Sequence, residues 1–379
     1  KIVNPVQLIN DTVGIEDDIT NTSLAPIECN LNDNCYEMKF YGLGSDGTVS
    51  ANKNSIKIIG EDTDKFVQGY FEYDSKKSGS MTISHLRICD NPIHKPYKAL
   101  SHDFVAIHNF TYIGRYDLIS SLKQNGTVLI NTTLSDEELS NYLPTEFVET
   151  LKQKNAKLYA IDAIEIAKNV NLGNKINVIM QTAFFKLIDI VPFETTLEQI
   201  KQFAIKTYAK KGDEIVNNNL KAIDESINKL RQVNYSKFVG TTKTMPAKTD
   251  SEFFEKIIRP LEDLKGDNLP VSKFECDGTV PTNTSKYLKR GISSSVPKWI
   301  KENCVQCGNC TLACPHGAIR SVLVKDENVD TNKLEMSDAL GMKGYKFKIQ
   351  ISPKDCTGCG VCVKTCPAVK KALEMQDGI

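Results

Sequence analysis

Apolar residues recur along this chain at two periods, and the two alternate. Runs of strand character fall at Met38–Leu43, Phe66–Tyr73, Thr82–Ile88, Phe104–His108, Thr127–Asn131 and Lys157–Asp162. Helical spacing lies between them, at about Val49–Ile59, Tyr116–Lys123, Ser135–Tyr142 and Thr145–Lys154. Ser135-Asp-Glu-Glu138 reads as a capping box. After Gly173 the pattern becomes helical, at Ile176–Ile190, Leu197–Lys210 and Asp213–Arg231. Strands separated by helices of this length predict an α/β sandwich with a largely parallel sheet. From Asn234 to Lys298 the periodicity is broken by Pro246, Pro260, Pro270, Pro281 and Pro297, which predicts a small irregular unit. Alternation returns at Gly341–Ile351, with Tyr345, Phe347, Ile349 and Ile351 on one face of a strand.

Composition narrows the class. The chain has 379 residues, 40% of them apolar, enough for two or three ordinary cores. It carries 47 basic and 47 acidic residues without a long block of one sign, so neither nucleic acid nor an anionic membrane is the expected partner. No run approaches eighteen apolar residues and no secretory signal pattern opens the chain. The Asn-x-Ser/Thr triplets at Asn109, Asn125 and Asn131 are read as chance matches. A start at Lys1 and an end at Ile379, soon after the last cysteine, read as the limits of a fragment.

The chemistry concentrates near the C-terminus. Cys304-Val-Gln-Cys307-Gly-Asn-Cys310-Thr-Leu-Ala-Cys314-Pro is followed by Cys356-Thr-Gly-Cys359-Gly-Val-Cys362-Val-Lys-Thr-Cys366-Pro. This is C-x2-C-x2-C-x3-C-P written twice. Three thiolates at this spacing wrap three corners of a 4Fe–4S cubane, and the fourth cysteine usually ligates the other cluster. One cluster is therefore assigned to Cys304, Cys307, Cys310 and Cys366, the second to Cys356, Cys359, Cys362 and Cys314. Structural zinc and disulfides are the competing readings, and the duplicated spacing disfavours both. The remaining Cys29, Cys35, Cys89 and Cys276 are read as reduced thiols, in keeping with the reducing compartment an iron–sulfur module needs. Trp299, five residues before Cys304, is read either as a shield for the cluster or as an anchor for the linker. Compact two-cluster ferredoxins place a helix where Gly317-Ala-Ile-Arg320 stands, and the 41 residues between the runs predict inserted structure.

A second candidate site lies near the N-terminus. Gly42, Gly44 and Gly47 satisfy G-x-G-x-x-G between a strand and a helix, a geometry that presents backbone amides to a phosphate. A tight turn in any α/β unit satisfies it equally. Glu72 and Asp74 end the next strand, where a ribose-binding acid could sit. Lys53, Asn54 and Ser55 add a cation and donors on the new helix, or form its solvated face. His85, His94, His102 and His108 show no metal-ligand spacing and are read as structural or surface histidines. Arg87 and the loop Lys76-Lys77-Ser-Gly79 could hold an anion, against a solvated loop.

These residues resemble pyruvate:ferredoxin (flavodoxin) oxidoreductase in its long single-chain form. The resemblance is carried by Val13-Gly-Ile-Glu-Asp-Asp-Ile-Thr, by Lys39 to Gly60, by Gly69 to Gly79 and Ser84-His-Leu-Arg87, by Leu269 to Ile292, and by Trp299 to Pro367. It implies a gamma-type α/β domain followed by a small irregular linker domain and an α+β ferredoxin-like two-cluster domain. The expected boundaries are 1–30 for the tail of a preceding domain, 31–235, 236–298 and 299–379. The family's Glu-Lys-Arg triplet is Leu288-Lys289-Arg290 here, which puts a role for that acid in doubt.

The resemblance implies oxidation of pyruvate with coenzyme A to acetyl-CoA and CO2, with electrons relayed to ferredoxin or flavodoxin. It turns Gly44, Asp46, Gly47, Lys53, Asn54 and Ser55 into candidate coenzyme A contacts. Thiamine diphosphate, Mg2+ and a third 4Fe–4S cluster are expected outside this stretch, which shows no thiamine motif. A homodimer is implied, in the cytoplasm or in a hydrogenosome-like organelle. A relative that passes electrons to NADP, a stand-alone electron carrier and a dinucleotide-dependent dehydrogenase are the alternatives.

Overall fold

The computed structural model describes residues 11–25, 34–44, 46–74, 80–173, 175–242, 248–329 and 334–377. A seven-stranded sheet dominates the first two-thirds of the chain. Its strands are β1 (Tyr36–Leu43), β2 (Phe66–Tyr73), β3 (Met81–Cys89), β4 (His102–Ile107), β5 (Leu122–Asn131), β6 (Lys157–Ile161) and β7 (Arg231–Gln232), and they lie in the order β2-β3-β1-β4-β5-β6-β7. Helices α1 (Thr48–Asp62), α2 (Asp136–Tyr142), α3 (Thr145–Gln153), α4 (Ala163–Asn169), α5 (Asn177–Leu187), α6 (Phe193–Tyr208) and α7 (Asp213–Lys229) accompany it.

The pleat gives the sheet two faces, and each buries its own core. Met38, Phe40, Leu86 and Phe104 face Ile59 of α1, Ile166 of α4, Phe184 of α5 and Ile200 of α6. Tyr41, Val105, Val128 and Leu158 face Leu139 of α2 and Val148 and Leu151 of α3. Strands β1, β4, β5 and β6 run parallel, while β2–β3, β3–β1 and β6–β7 are antiparallel. The expectation of a largely parallel sheet is thus corrected to a mixed one. The connection from β2 to β3 is too short for a crossover and turns the chain straight back.

Three further expectations are corrected. The helix expected at Tyr116–Lys123 is a turn leading into β5, in which Asp117 accepts from the Ser120 amide at 3.0 Å. Leu118, Ile119 and Leu122 imitate helical spacing while filling the core under the sheet. Cys35 and Cys89, read as reduced, form a disulfide with a Cα–Cα distance of 4.3 Å. The antiparallel register explains it: Tyr36 pairs with Ile88, so the next position places Cys35 opposite Cys89. Arg87 holds no anion-binding position, because it is 3% exposed and gives Nε to Glu37 at 2.8 Å and Nη1 to Gln68 and to the Tyr97 carbonyl. Cys29 and the loop Lys76–Gly79 lie outside the described residues.

The irregular stretch after β7 is anchored at both ends. A π-helical turn, Phe254–Ile258, runs into α8 (Arg259–Glu262), and short 3-10 turns follow. Residues 11–25 dock on it, where Asp18 accepts from the Ser272 amide at 2.9 Å. Its far end straps the sheet to the cysteine-rich part. Arg290 pairs with Glu262 and Asp74, and its carbonyl accepts from Arg115. The Ile292 carbonyl accepts from Asn109 at 3.1 Å, and the Gly291 amide donates to Lys354 at 2.9 Å.

The cysteine-rich part has two small sheets. Strands β8 (Ser295–Trp299) and β12 (Leu373–Asp377) pair antiparallel, closing the ends of the module on each other. Strands β9 (Ile319–Lys325), β10 (Ser337–Asp338) and β11 (Tyr345–Ile351) form the second sheet, in the order β10-β11-β9. Strand β11 matches the expected alternation, with Phe347 and Ile349 buried. The helix expected after Gly317 is instead β9, whose β-branched residues pair with β11 over its whole length. Two five-residue helices, α9 (Asn309–Ala313) and α10 (Val361–Thr365), carry the two cysteine runs.

The buried Glu37–Arg87 pair yields a stability test. Among the described residues, Arg87→Met leaves the buried Glu37 carboxylate with only Lys95, at 3.9 Å, and is expected to cost about 3 kcal/mol in denaturant unfolding, much of it recovered in the Glu37→Met/Arg87→Met double variant. A loss below about 1 kcal/mol would contradict the pairing as a structural constraint.

Candidate metal centres

The two cysteine runs repeat each other in backbone as well as in spacing. Gly308 (φ 75°) and Gly360 (φ 70°) open α9 and α10 from the left-handed region, which a side chain rarely adopts. Gln306 and Gly358 have positive φ at matching places inside the loops. Each loop therefore curls around a hollow, and the short helix carries the next cysteine back toward it.

Two cavities result. Cys304, Cys307, Cys310 and Cys366 line one, roofed by Trp299, Ile349 and Leu373. Cys356, Cys359, Cys362 and Cys314 line the other, beside Pro297, Pro315 and Ile319. Each cavity thus has three cysteines from one run and the fourth from the other. Among the described residues, no three His, Cys, Asp or Glu side chains converge tightly enough to hold a single metal ion. The thiols ring a space instead, the arrangement a multi-iron cluster uses.

Electrostatics fit a bound cationic group. Burial pushes the Cys310, Cys356 and Cys362 thiols up, Cys362 to about 11, so thiolates in these apolar walls need metal charge to compensate them. Amide donors wait for sulfur charge: Ala318 to Cys314 at 3.3 Å, Gly358 to Cys356 at 3.4 Å and Ala372 to Cys366 at 3.5 Å. A side chain on Gly358 would press to 2.6 Å of the Ser293 hydroxyl, which fixes this loop against the strap. Trp299 joins the two expected roles, since it anchors β8 on β12 opposite Leu373 and also walls the first cavity.

The glycine turn lies where β1 and β4 end side by side. Helix α1 leaves β1 toward one face, and the segment after β4 packs on the other, so this is the topological switch point of the sheet. The chain fills much of it with its own groups. The Asp46 carboxylate accepts from the Leu43 amide (2.8 Å), the Thr48 amide (2.7 Å) and the Thr48 hydroxyl (2.7 Å). Thr48 Oγ1 is also 2.7 Å from His108 Nδ1, and the Tyr112 hydroxyl donates to the Gly42 carbonyl. Gly42 is required here because a Cβ would lie 2.6 Å from the Thr48 side chain.

The sequence-predicted residues of this site separate in the structure. Gly44 and Gly47 border the turn, and Gly47 has φ 93°. Lys53 is exposed, 5.2 Å from the Phe71 ring centroid. Asn54 and Ser55 do not form a solvated helix face. Both are buried, and Ser55 accepts from Gln181 of α5 at 3.0 Å. Three of the histidines are structural: His85 contacts Glu72, His102 contacts Ser121 and His108 contacts Thr48, while His94 is exposed. The Asp46–Thr48–His108 chain was not legible beforehand, because it joins residues sixty positions apart and no local pattern marks it.

An α/β sheet joined to a module with two four-cysteine cavities defines a two-cluster iron–sulfur protein. Comparison with known proteins agrees. Residues 37–229 match the pyruvate ferredoxin/flavodoxin oxidoreductase family, residues 241–293 a domain of unknown function, and residues 301–369 a 4Fe-4S dicluster domain. The chain belongs to the pyruvate ferredoxin/flavodoxin oxidoreductase family. It is 48% identical over 374 residues to the pyruvate:ferredoxin oxidoreductase of Moorella thermoacetica, covering 96% of this chain and 32% of that protein. It is 42% identical to the pyruvate-flavodoxin oxidoreductase of Klebsiella pneumoniae, covering 98% and 33%. It is 41% identical to the pyruvate dehydrogenase [NADP(+)] of Cryptosporidium parvum, covering 98% and 21%. The chain thus spans about a third or less of the length of these relatives. Among the described residues, no helix is long and apolar enough to cross a membrane.

Burial holds His108 neutral, pushing it down to about 4, and His102 likewise, to about 3. A histidine depressed by folding contributes stability above its unfolded value of 6.5, lost as pH falls toward the folded one. Stability to denaturant is therefore expected to fall between pH 6.5 and 4, and less steeply in His108→Gln. An equal slope in the variant would show that His108 carries no part of it.

Proposed function

We propose that this chain is the electron-relay part of an enzyme that oxidises pyruvate with coenzyme A to acetyl-CoA and CO2 and hands electrons to ferredoxin or flavodoxin. The observation that carries this reading is the pair of cavities, each lined by three cysteines of one run and one of the other. It supports ligation of one 4Fe–4S cluster by Cys304, Cys307, Cys310 and Cys366, and of the second by Cys356, Cys359, Cys362 and Cys314. Such clusters supply one-electron steps at low potential.

The chain's own residues do the rest. Cys310 and Cys314 stand at the two ends of α9, so four residues, about 6 Å of helix rise, separate a ligand of one cavity from a ligand of the other. Clusters held by these residues would sit on one rigid turn and would supply one-electron steps without domain motion. Trp299, Ile349 and Leu373 give the first cavity an apolar inner wall. The strap from Arg290 to Ser293 fixes the second against the large sheet.

Thiamine diphosphate, Mg2+, the pyruvate site and a third cluster belong to the rest of such an enzyme in this reading. So do a homodimeric assembly and a location in the cytoplasm or a hydrogenosome-like organelle. The fused NADP-reducing relative supports a second acceptor, since this chain matches that protein at similar identity. Coenzyme A contact is assigned to Gly44, Gly47 and Lys53 around the turn. Asn54 and Ser55 drop out because they are buried, and a phosphate would have to displace the Asp46 carboxylate from the Thr48 amide.

Two measurements test this. Anaerobically purified chain is expected to hold about eight irons in two 4Fe–4S centres. Cys314→Ser should damage the centre held by Cys356, Cys359 and Cys362, and damage confined to the neighbouring centre would overturn the crossed ligation. By calorimetry, Lys53→Gln should weaken coenzyme A binding about tenfold through loss of one charge-assisted contact. Binding of NAD without coenzyme A would instead favour a dinucleotide-dependent enzyme.

A further inference from the structure

Trp299 is the only tryptophan in the chain and is 8% exposed. It lies on β8 opposite Leu373 of β12, with its ring 6.3 Å from Phe347 in an edge-on arrangement. Its indole lines the cavity formed by Cys304, Cys307, Cys310 and Cys366. The indole Nε1 is fully buried and meets no acceptor among the described residues. An indole N–H can only donate, and a buried donor without an acceptor is destabilising. Apart from the four cysteines, the side chains around that cavity are aliphatic, so sulfur is the acceptor its wall offers.

We propose that the Trp299 indole N–H donates to a sulfur of the cluster seated by these four cysteines and raises its reduction potential. The inference rests on the ligation proposed above. Its physical basis is that reduction adds negative charge to the cluster, so a fixed N–H donor stabilises the reduced form more than the oxidised one. The Ala372 amide already donates to Cys366 in the same wall at 3.5 Å. The second cavity has no indole, so the two centres differ in their donors although their cysteine spacing is identical. Trp299 is on this account a positioning and tuning residue, not a ligand.

The test uses the anaerobic full chain with both centres loaded. Trp299→Phe keeps an aromatic ring beside Phe347 and removes the N–H together with part of the indole. In redox titrations followed by low-temperature spin resonance, one of the two midpoints is expected to fall. The reduced-to-oxidised ratio of that centre should drop about tenfold at fixed potential, which is 59 mV for one electron. The other midpoint should stay in place. Two unchanged midpoints, with both centres intact, would overturn the proposal. Should the variant lose its iron, the unsubstituted chain gives the answer. Tryptophan labelled with 15N in the indole reports this residue alone, and pulsed spin resonance should detect its coupling to one reduced centre. Intact centres without that coupling overturn the hydrogen bond alone, whereas iron analysis showing a single centre overturns the ligand assignment and the bond with it.

Discussion

The last cysteine of each run stands in the wall of the other run's cavity. Neither cavity can therefore form without the other, and the two runs must fold as one object although 41 residues separate them. The rest of the module serves that crossing. Strands β8 and β12 bring its two ends together, and Trp299 and Leu373 roof the first cavity from that pairing. The inserted sheet β10-β11-β9 contributes Ile349 to the first wall and Ile319 to the second. Cluster binding is then coupled to folding of the whole module, since burial raises the Cys310, Cys356 and Cys362 thiols and metal favours their charged form.

The large sheet provides the platform. Glu37 and Arg87 pair with each other within it, and Asp46 is engaged over the start of α1. The strap around Arg290 connects this platform to the second cavity through Asp74, Glu262 and the Ile292 and Gly291 backbone. Leu288 replaces the acid of the family triplet, while Lys289 pairs with Asp355 and Arg290 with Glu262, so the two cations of the triplet hold the junction without it. The switch-point crevice of the sheet faces this strap, and Asn109 and Thr111 donate to it from the end of β4. A cofactor approaching that crevice meets a carboxylate and a histidine already engaged with Thr48.

Much of this was legible in the sequence where the cause is local. Alternation located β2 and β6 to within a residue or so and the end of β11, which starts four residues later than expected, and Ser135 caps α2 with Glu138 in the expected box. The duplicated cysteine spacing gave both cavity linings. Features that depend on register or long-range approach were missed. Cys35 and Cys89 are 54 residues apart and become neighbours only through the antiparallel pairing of β1 and β3. The buried polar residues of α1, Asn54 and Ser55, of which Ser55 bonds Gln181 of α5, read in sequence like a solvated face. The segment before β5 shows helical spacing but is drawn into the core as a turn, tertiary packing overriding local pattern.

The central claim is that the cysteine runs cross, and an anomalous-difference map at the iron edge from anaerobic crystals tests it most directly. The account predicts two groups of iron peaks, one ringed by Cys304, Cys307, Cys310 and Cys366 and the other by Cys356, Cys359, Cys362 and Cys314. A group ringed by Cys304, Cys307, Cys310 and Cys314, or a single metal peak in either cavity, would contradict it.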